Sequence, residues 1–220
     1  KFLLGGVYIL LRSYEAICTF FQKMPFPILV FGRPSGKSII FYYVGIVALF
    51  LYAELCKRCI CHKYAFYAVW IALIGMLCVN LRAPRLDGFR MTMLDVGQGD
   101  SILIKSPHGH FILVDGGGSQ FYEVGEMKLL PYLRHRGINH LDLVINTHPD
   151  SDHFLGLTEI MNRITVERFA YPLVLHDSPE YVEAFRLVQQ HSGSLLGLHA
   201  GQVLQVEPGF HLEVLHPSPE

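Results

Sequence analysis

Between Asn146 and His153 the chain reads Asn-Thr-His-Pro-Asp-Ser-Asp-His, placing four ligand-type side chains, His148, Asp150, Asp152 and His153, within six residues. The apolar run Leu141 to Asn146 comes directly before and predicts a buried strand. At the carboxyl end of a strand, a loop turning into a helix can aim all four groups at one point. Two imidazoles with two carboxylates suit a borderline divalent ion, Zn²⁺ or Mn²⁺, and the extra oxygen ligand favours Mn²⁺ more than an all-His site does. The competing reading is a polar loop that caps a helix, with Asp150 or Ser151 at the N-cap. No Cys follows residue 90, so any metal in this half must be held by nitrogen and oxygen.

A second motif lies upstream: Leu94-Asp-Val-Gly-Gln-Gly-Asp-Ser101, followed by Ile112-Leu-Val-Asp-Gly-Gly-Gly118. Gly97 and Gly99 let the backbone turn tightly, so that Asp95, Gln98 and Asp100 can face a cleft. Asp115 ends the next strand at the same rim. Taken alone, a glycine-rich hairpin with Asp is a common turn. It gains specificity from the metal-type loop that begins forty-eight residues after Asp100.

The loop resembles the metallo-β-lactamase superfamily, whose signature is His-x-His-x-Asp-His after a strand of an αββα sandwich. Asp150 stands where the second His of that signature falls, which argues against a β-lactamase or glyoxalase. The stretch is similar instead to the Ser/Thr-His-Pro-Asp-x-Asp-His of the ComEC family of DNA-internalisation (competence) proteins. The resemblance covers the whole chain and is most specific over residues 93 to 156.

That resemblance implies a membrane α-helical segment followed by an α/β, metallo-β-lactamase-like domain. It implies that His148 and Asp150 help hold one ion, and Asp152 and His153 a second. The ions would bind a phosphate oxygen and lower the pKa of a bridging water for in-line attack on a phosphodiester. Asp150 and Asp152 are then the catalytic carboxylates, with Asp152 also orienting the nucleophile. Asp95, Gln98, Asp100 and Asp115 are assigned to orienting the ligands by hydrogen bonds or to contacting the substrate. The implied function is DNA uptake during transformation: one strand passes through the membrane part while a metal-dependent nuclease domain, extracytoplasmic, degrades the other. The partners are DNA, the cell membrane and other competence-machinery proteins. Two alternatives stand beside it: a membrane-attached metallo-hydrolase of another phosphoester or ester, and a non-catalytic DNA-guiding module whose loop is vestigial.

Family sites take a further His, a bridging Asp after a Gly and a final His downstream. After His153 the only Asp is Asp177, in His-Asp-Ser-Pro. His176, His191, His199, His211 and His216 read as surface or structural residues. The remaining ligands are therefore expected beyond residue 220, with the domain truncated on its C-terminal side and inactive by itself. Truncation of this kind is expected to bare the apolar faces of Met91 to Val96 and Leu141 to Ile145.

The elements that must position these groups follow from composition. Of 220 residues, 51% are hydrophobic and the net charge is −1. That balance hides two halves: residues 1 to 89 carry ten Lys/Arg against three acids, and residues 90 to 220 carry eight against sixteen. All five Cys precede residue 90, and eleven of twelve His follow it or lie beyond. Two domains, 1–89 and 90–220, explain this asymmetry. Ser38 to Ala53 and Tyr64 to Leu81 hold no charge and predict membrane spans at about 38–56 and 64–81, with 1–11 the tail of an earlier one. Tyr42, Tyr43, Tyr64, Tyr67 and Trp70 crowd their ends. Ile17 to Leu29, interrupted by Pro25 and Pro27, reads as interfacial or re-entrant. Cys56, Cys59 and Cys61 read as membrane-boundary thiols in a short basic turn, placed in the cytoplasm by the positive-inside tendency. Gly32-Arg-Pro-Ser-Gly-Lys-Ser38 lacks the spacing of a phosphate-binding loop.

Beyond Phe89 the period shortens to that of strands: RMTMLDV, DSILIKS and HFILVDGGG. Helical patterns follow over 124–136, 153–164 and 180–190, alternating with strands over 141–146 and 166–171, and two more strands lie in the tail. The order predicts a sheet covered by helices.

Overall fold

The computed structural model describes residues 2–23, 30, 32–55, 67, 69–71, 74–75, 88–173 and 179–217. The chain divides into two compact units, Lys1–Val30 and Phe31–Glu220. The first is built on helix α1 (Phe2–Gln22). Arg12 and Glu15 pair at 3.4 Å in its middle, and Arg12 Nε–H also donates to Tyr8 Oη at 3.1 Å. The second unit opens with α2 (Gly36–Leu55), where Ser35 Oγ accepts the Ser38 N–H at 3.1 Å and caps the first turn.

These helices do not confirm the expected membrane spans. Among the described residues, no helix is long and apolar enough to cross a membrane. In α1 the polar pair Arg12 and Glu15 breaks the apolar run, and the segment from Ile17 continues this helix to Gln22 with no break. The span expected over 38–56 falls on α2, whose uncharged stretch from Ser38 to Ala53 rises about 24 Å beside hydrocarbon roughly 30 Å thick. Most of the span expected over 64–81 lies outside the described residues, as do Pro25, Pro27 and the thiols of the basic turn.

The α/β part of the second unit is a six-stranded sheet. Its strands, β1 (Arg90–Met93), β2 (Ile102–Lys105), β3 (Phe111–Val114), β4 (His140–Ile145), β5 (Thr165–Pro172) and β6 (Ser192–Leu198), lie side by side in chain order. The first three pair antiparallel, and β3 to β6 run parallel. Parallel neighbours need crossovers, and helices supply them. A π-helical turn (Gly125–Leu129) with α3 (Leu130–His135) joins β3 to β4, α4 (Ser151–Ile160) joins β4 to β5, and α5 (Pro179–His191) joins β5 to β6. The Glu159 carboxylate accepts the Gly125 N–H and so ties the π-helical turn to α4.

Adjacent residues on each central strand face opposite sides. Leu113, Val144 and Phe169 pack under the helices with Leu133, Phe154, Leu157 and Val188. Ile112, Leu143 and Ala170 face a two-stranded hairpin, β7 (Val203–Glu207) and β8 (Phe210–Glu213), through Leu204. Burial on both faces accounts for strands that read as nearly continuous apolar runs. Leu141 and Leu143 are fully buried, so the expectation that truncation bares this strand is corrected: helices cover one face and the hairpin the other. Val96 is buried too, whereas Met91 and Met93 are exposed on the outermost strand. Of the αββα sandwich, the described residues form one helix layer, the sheet and this hairpin. β6 carries no strand signal, because it opens on Ser-Gly-Ser. There Gly193 leaves room for the Glu167 carbonyl, which would lie 2.5 Å from an added Cβ.

Candidate metal centre

β3 and β4 are parallel neighbours, so their carboxyl ends release two loops side by side. The loop after β3 is Asp115 to Gly118, and the loop after β4 runs from Asn146 to the N-cap of α4 at Asp150. Asp115 extends the pairing by donating its N–H to Ile145 C=O at 2.8 Å. Its φ of +56° is a left-handed conformation that Asp tolerates better than most side chains. The bend turns a buried carboxylate onto the neighbouring loop.

The hydrogen bonds of that carboxylate set the imidazoles. Asp115 Oδ1 accepts the Thr147 N–H at 2.7 Å. Asp115 Oδ2 accepts the Thr147 hydroxyl at 2.6 Å and lies 2.9 Å from His153 Nδ1. A carboxylate only accepts, so Nδ1 of His153 carries the proton. Thr147 has spent its own proton on Asp115, so its oxygen accepts from His148 Nδ1 at 2.8 Å. Both rings are thereby held as the Nδ1–H tautomer, and both Nε2 atoms keep a lone pair for a metal. The rings are tilted against each other, centroids 3.8 Å apart and planes at 48°. His148 Nε2 is 3.7 Å from Asp150 Oδ2, and His153 Nε2 is 4.0 Å from Asp152 Oδ2. The residues present fit a divalent ion: two imidazole lone pairs of fixed direction, each beside a carboxylate oxygen, with ligand atoms of Asp115, His148 and His153 all within 4.8 Å of one another. Since Asp115 already accepts four protein hydrogen bonds, counting one from Asn146 Nδ2–H at 3.5 Å, its main effect on ligation is to fix the rings.

Glycines allow this packing. The backbones of Gly116 to Gly118 lie directly against the first turns of α4, with Gly116 N–H donating to His153 C=O and Gly156 N–H to Gly117 C=O, both at 2.9 Å. A Cβ at Gly118 would sit 2.0 Å from Ser151 O, and one at Gly156 would sit 2.1 Å from Gly116 O. The Gly97–Asp100 turn is part of the same contact: a Cβ at Gly99 would lie 1.7 Å from Asp152 O, and Asp100 C=O accepts the Gly117 N–H at 2.9 Å.

Of the residues singled out from sequence, the structure brings together His148, Asp150, Asp152, His153 and Asp115. Gln98 and Asp100 stand exposed on the neighbouring turn. The side chain of Asp95 is 98% exposed and lies 3.7 Å from Lys128 Nζ. His191 Nδ1 bonds Leu187 C=O at 2.9 Å and His199 Nδ1 bonds Ala200 C=O at 3.0 Å. Among the described residues, neither these nor His211 or His216 joins a metal-ligating group with the loop. His176 lies outside the described residues. Sequence reasoning gave no role to Thr147 and Asn146, although both directly precede His148. Asn146 is fully buried, and its Nδ2–H donates to His148 C=O at 2.7 Å.

A family model described as "Metallo-beta-lactamase superfamily" matches residues 94–215. The chain is also similar to "ComE operon protein 3" of Bacillus subtilis (strain 168), with 29% identity over 204 residues. That alignment covers 86% of this chain and 26% of the relative, so the chain spans about a quarter of the relative's length. Both findings bear out the resemblance read from the loop and the hairpin.

Proposed function

Because the chain belongs to the metallo-β-lactamase superfamily, we propose that it is part of a competence-related metallo-hydrolase, a metal-dependent phosphodiesterase that cuts DNA while one strand is taken into the cell. The observation that carries this reading is the shared tautomer of His148 and His153, which leaves both Nε2 atoms beside the carboxylates of Asp150 and Asp152.

His148 with Asp150, and Asp152 with His153, would each hold one divalent ion, Zn²⁺ or Mn²⁺. When bound, such ions polarise a phosphoryl oxygen and lower the pKa of water at the site. The protein's own groups do the rest. Asp115 and Thr147 keep the imidazoles from rotating. Asp152 accepts a hydrogen bond from the attacking water and so aims it. Asp95, Gln98 and Asp100 lie on the exposed turn, on the side open to a large substrate. Residues 90 to 220 carry eight basic against sixteen acidic residues, and two bound ions would offset half of that excess where the phosphodiester docks.

The relative's name ties that protein to the ComE operon, and the resemblance to the ComEC family supports DNA as substrate and other competence proteins as partners. Association with the cell membrane is supported by α2, which exposes Ile40, Phe41, Tyr43, Val47 and Phe50 and has no polar face. On this reading the hydrolase domain lies outside the cytoplasm.

The test uses the full-length protein in detergent, supplied with Mn²⁺ or Zn²⁺ and with end-labelled single- and double-stranded DNA. Cleavage should depend on metal and disappear in Asp152→Ala, while circular dichroism stays unchanged. Undiminished turnover in that variant defeats the metal assignment. Hydrolysis of nucleotides or simple phosphodiesters without cleavage of DNA would move the substrate to another phosphoester.

A further inference from the structure

The opposite rim of the sheet, where β3 and β4 begin, carries a second constellation. His140 and Asp142 lie at the start of β4, and Glu167 lies on β5 between the residues that pair with Leu141 and Leu143. His140 Nε2 is 3.7 Å from Asp142 Oδ1 and 3.6 Å from Glu167 Oε2. Ligand atoms from the three residues all lie within 4.8 Å of one another. We propose that His140, Asp142 and Glu167 form a second metal site, distinct from the loop after β4, that binds one divalent transition-metal ion of the zinc type and clamps β4 to β5.

The donor set is one imidazole and two carboxylates, which a borderline ion accepts. Ligands at roughly 2.0–2.1 Å in a tetrahedron stand about 3.3 Å apart, so small side-chain rotations close the observed spacing. Asp142 is already aligned. Its Oδ2 accepts the Phe111 N–H at 2.7 Å, its Oδ1 takes His110 Nδ1 at 2.6 Å, and the side chain is 14% exposed. Hydrogen bonds of this kind to a ligating carboxylate fix its direction and raise metal affinity. The His140 and Glu167 side chains are 42% and 60% exposed, so the site opens to solvent and leaves a position for water. None of the three side chains belongs to the loop from Asn146 to His153, so the site stands or falls independently of the proposed hydrolase.

The experiment strips the full-length protein with chelator, returns Zn²⁺ or Co²⁺, and counts bound ions by elemental analysis after desalting. The background variant H148A/H153A removes the imidazoles of the loop. It should still retain one equivalent, with the visible absorption of low-symmetry Co²⁺. Adding H140A, or separately E167Q, should abolish that equivalent or weaken its affinity at least tenfold. Both are partly exposed positions, and circular dichroism checks that the sheet is intact. If H148A/H153A binds no ion, or if the ion survives H140A and E167Q with unchanged affinity, the site does not exist.

Discussion

Asp115 and His153 meet at 2.9 Å, carboxylate to Nδ1, across the gap between the end of β3 and the first turn of α4. The contact decides which imidazole nitrogen is left free to face the proposed metal. Asn suits a φ of +56° as well as Asp does, so Asp115→Asn keeps the backbone while removing the charge and one acceptor. Metal affinity should fall about 10- to 100-fold, as for other partners that orient a ligand. A competition titration with a Zn²⁺ indicator measures the change, and wild-type affinity would remove Asp115 from the site.

Gly156→Ala should destabilise the protein, because the new Cβ would sit 2.1 Å from Gly116 O, a backbone atom that cannot swing aside. The cost expected of such overpacking is about 1–3 kcal/mol, read as a lowered melting temperature. Gly36→Ala provides the comparison, since its added Cβ meets nothing within 4 Å. Equal melting temperatures for the two variants would contradict the close packing of loop on helix.

Glu207 gives the hairpin β7–β8 a dependence on acid. Burial pushes its carboxyl up, but hydrogen bonds from the Ser106 hydroxyl, the His108 ring and the His108 N–H outweigh burial and hold it below the usual value. A depressed folded-state pKa stabilises the fold above the unfolded value, about 4.3, and that stabilisation fades as pH falls through the depressed one. Melting curves of the wild type and Glu207→Gln should therefore converge as acid is added. A constant difference down to about pH 3 would show that this carboxylate does not titrate as stated.

The orientation assigned to the hydrolase domain can be read with one thiol. Phe121 is 94% exposed in the loop after β3. In a cysteine-free background of the full-length protein, Phe121→Cys should react with an impermeant maleimide on intact cells. Labelling only after permeabilisation would place the domain in the cytoplasm.

The gathering of His148, Asp150, Asp152 and His153 at one place was legible in sequence because they are close enough in the chain for one strand end to collect them. The hydrogen bond from His153 to Asp115 was not, since the pair is thirty-eight residues apart and meets only through the parallel pairing of β3 and β4. β3, β4 and β5 announced themselves as apolar runs because both of their faces are covered. β6 did not: its first residues, Ser192 and Gly193, owe their strand to the edge offered by β5 rather than to their own preference. For α1, counting uncharged residues ended the segment at Leu11, whereas the helix runs on to Gln22. Arg12 and Glu15 satisfy each other on one helix face, so the helix passes straight through the charges.

The contact between Gly99 and Asp152, where no Cβ fits, means that the Gly97–Asp100 turn and the ligand loop cannot be displaced independently. Anything that shifts the turn also shifts the carbonyl of Asp152, a proposed metal ligand. By thermodynamic reciprocity, a molecule whose binding to the turn alters metal affinity by some factor has its own affinity altered by that factor when the metal binds. The glycine is in this sense a coupling element: its missing side chain turns two separate recognition events into one equilibrium.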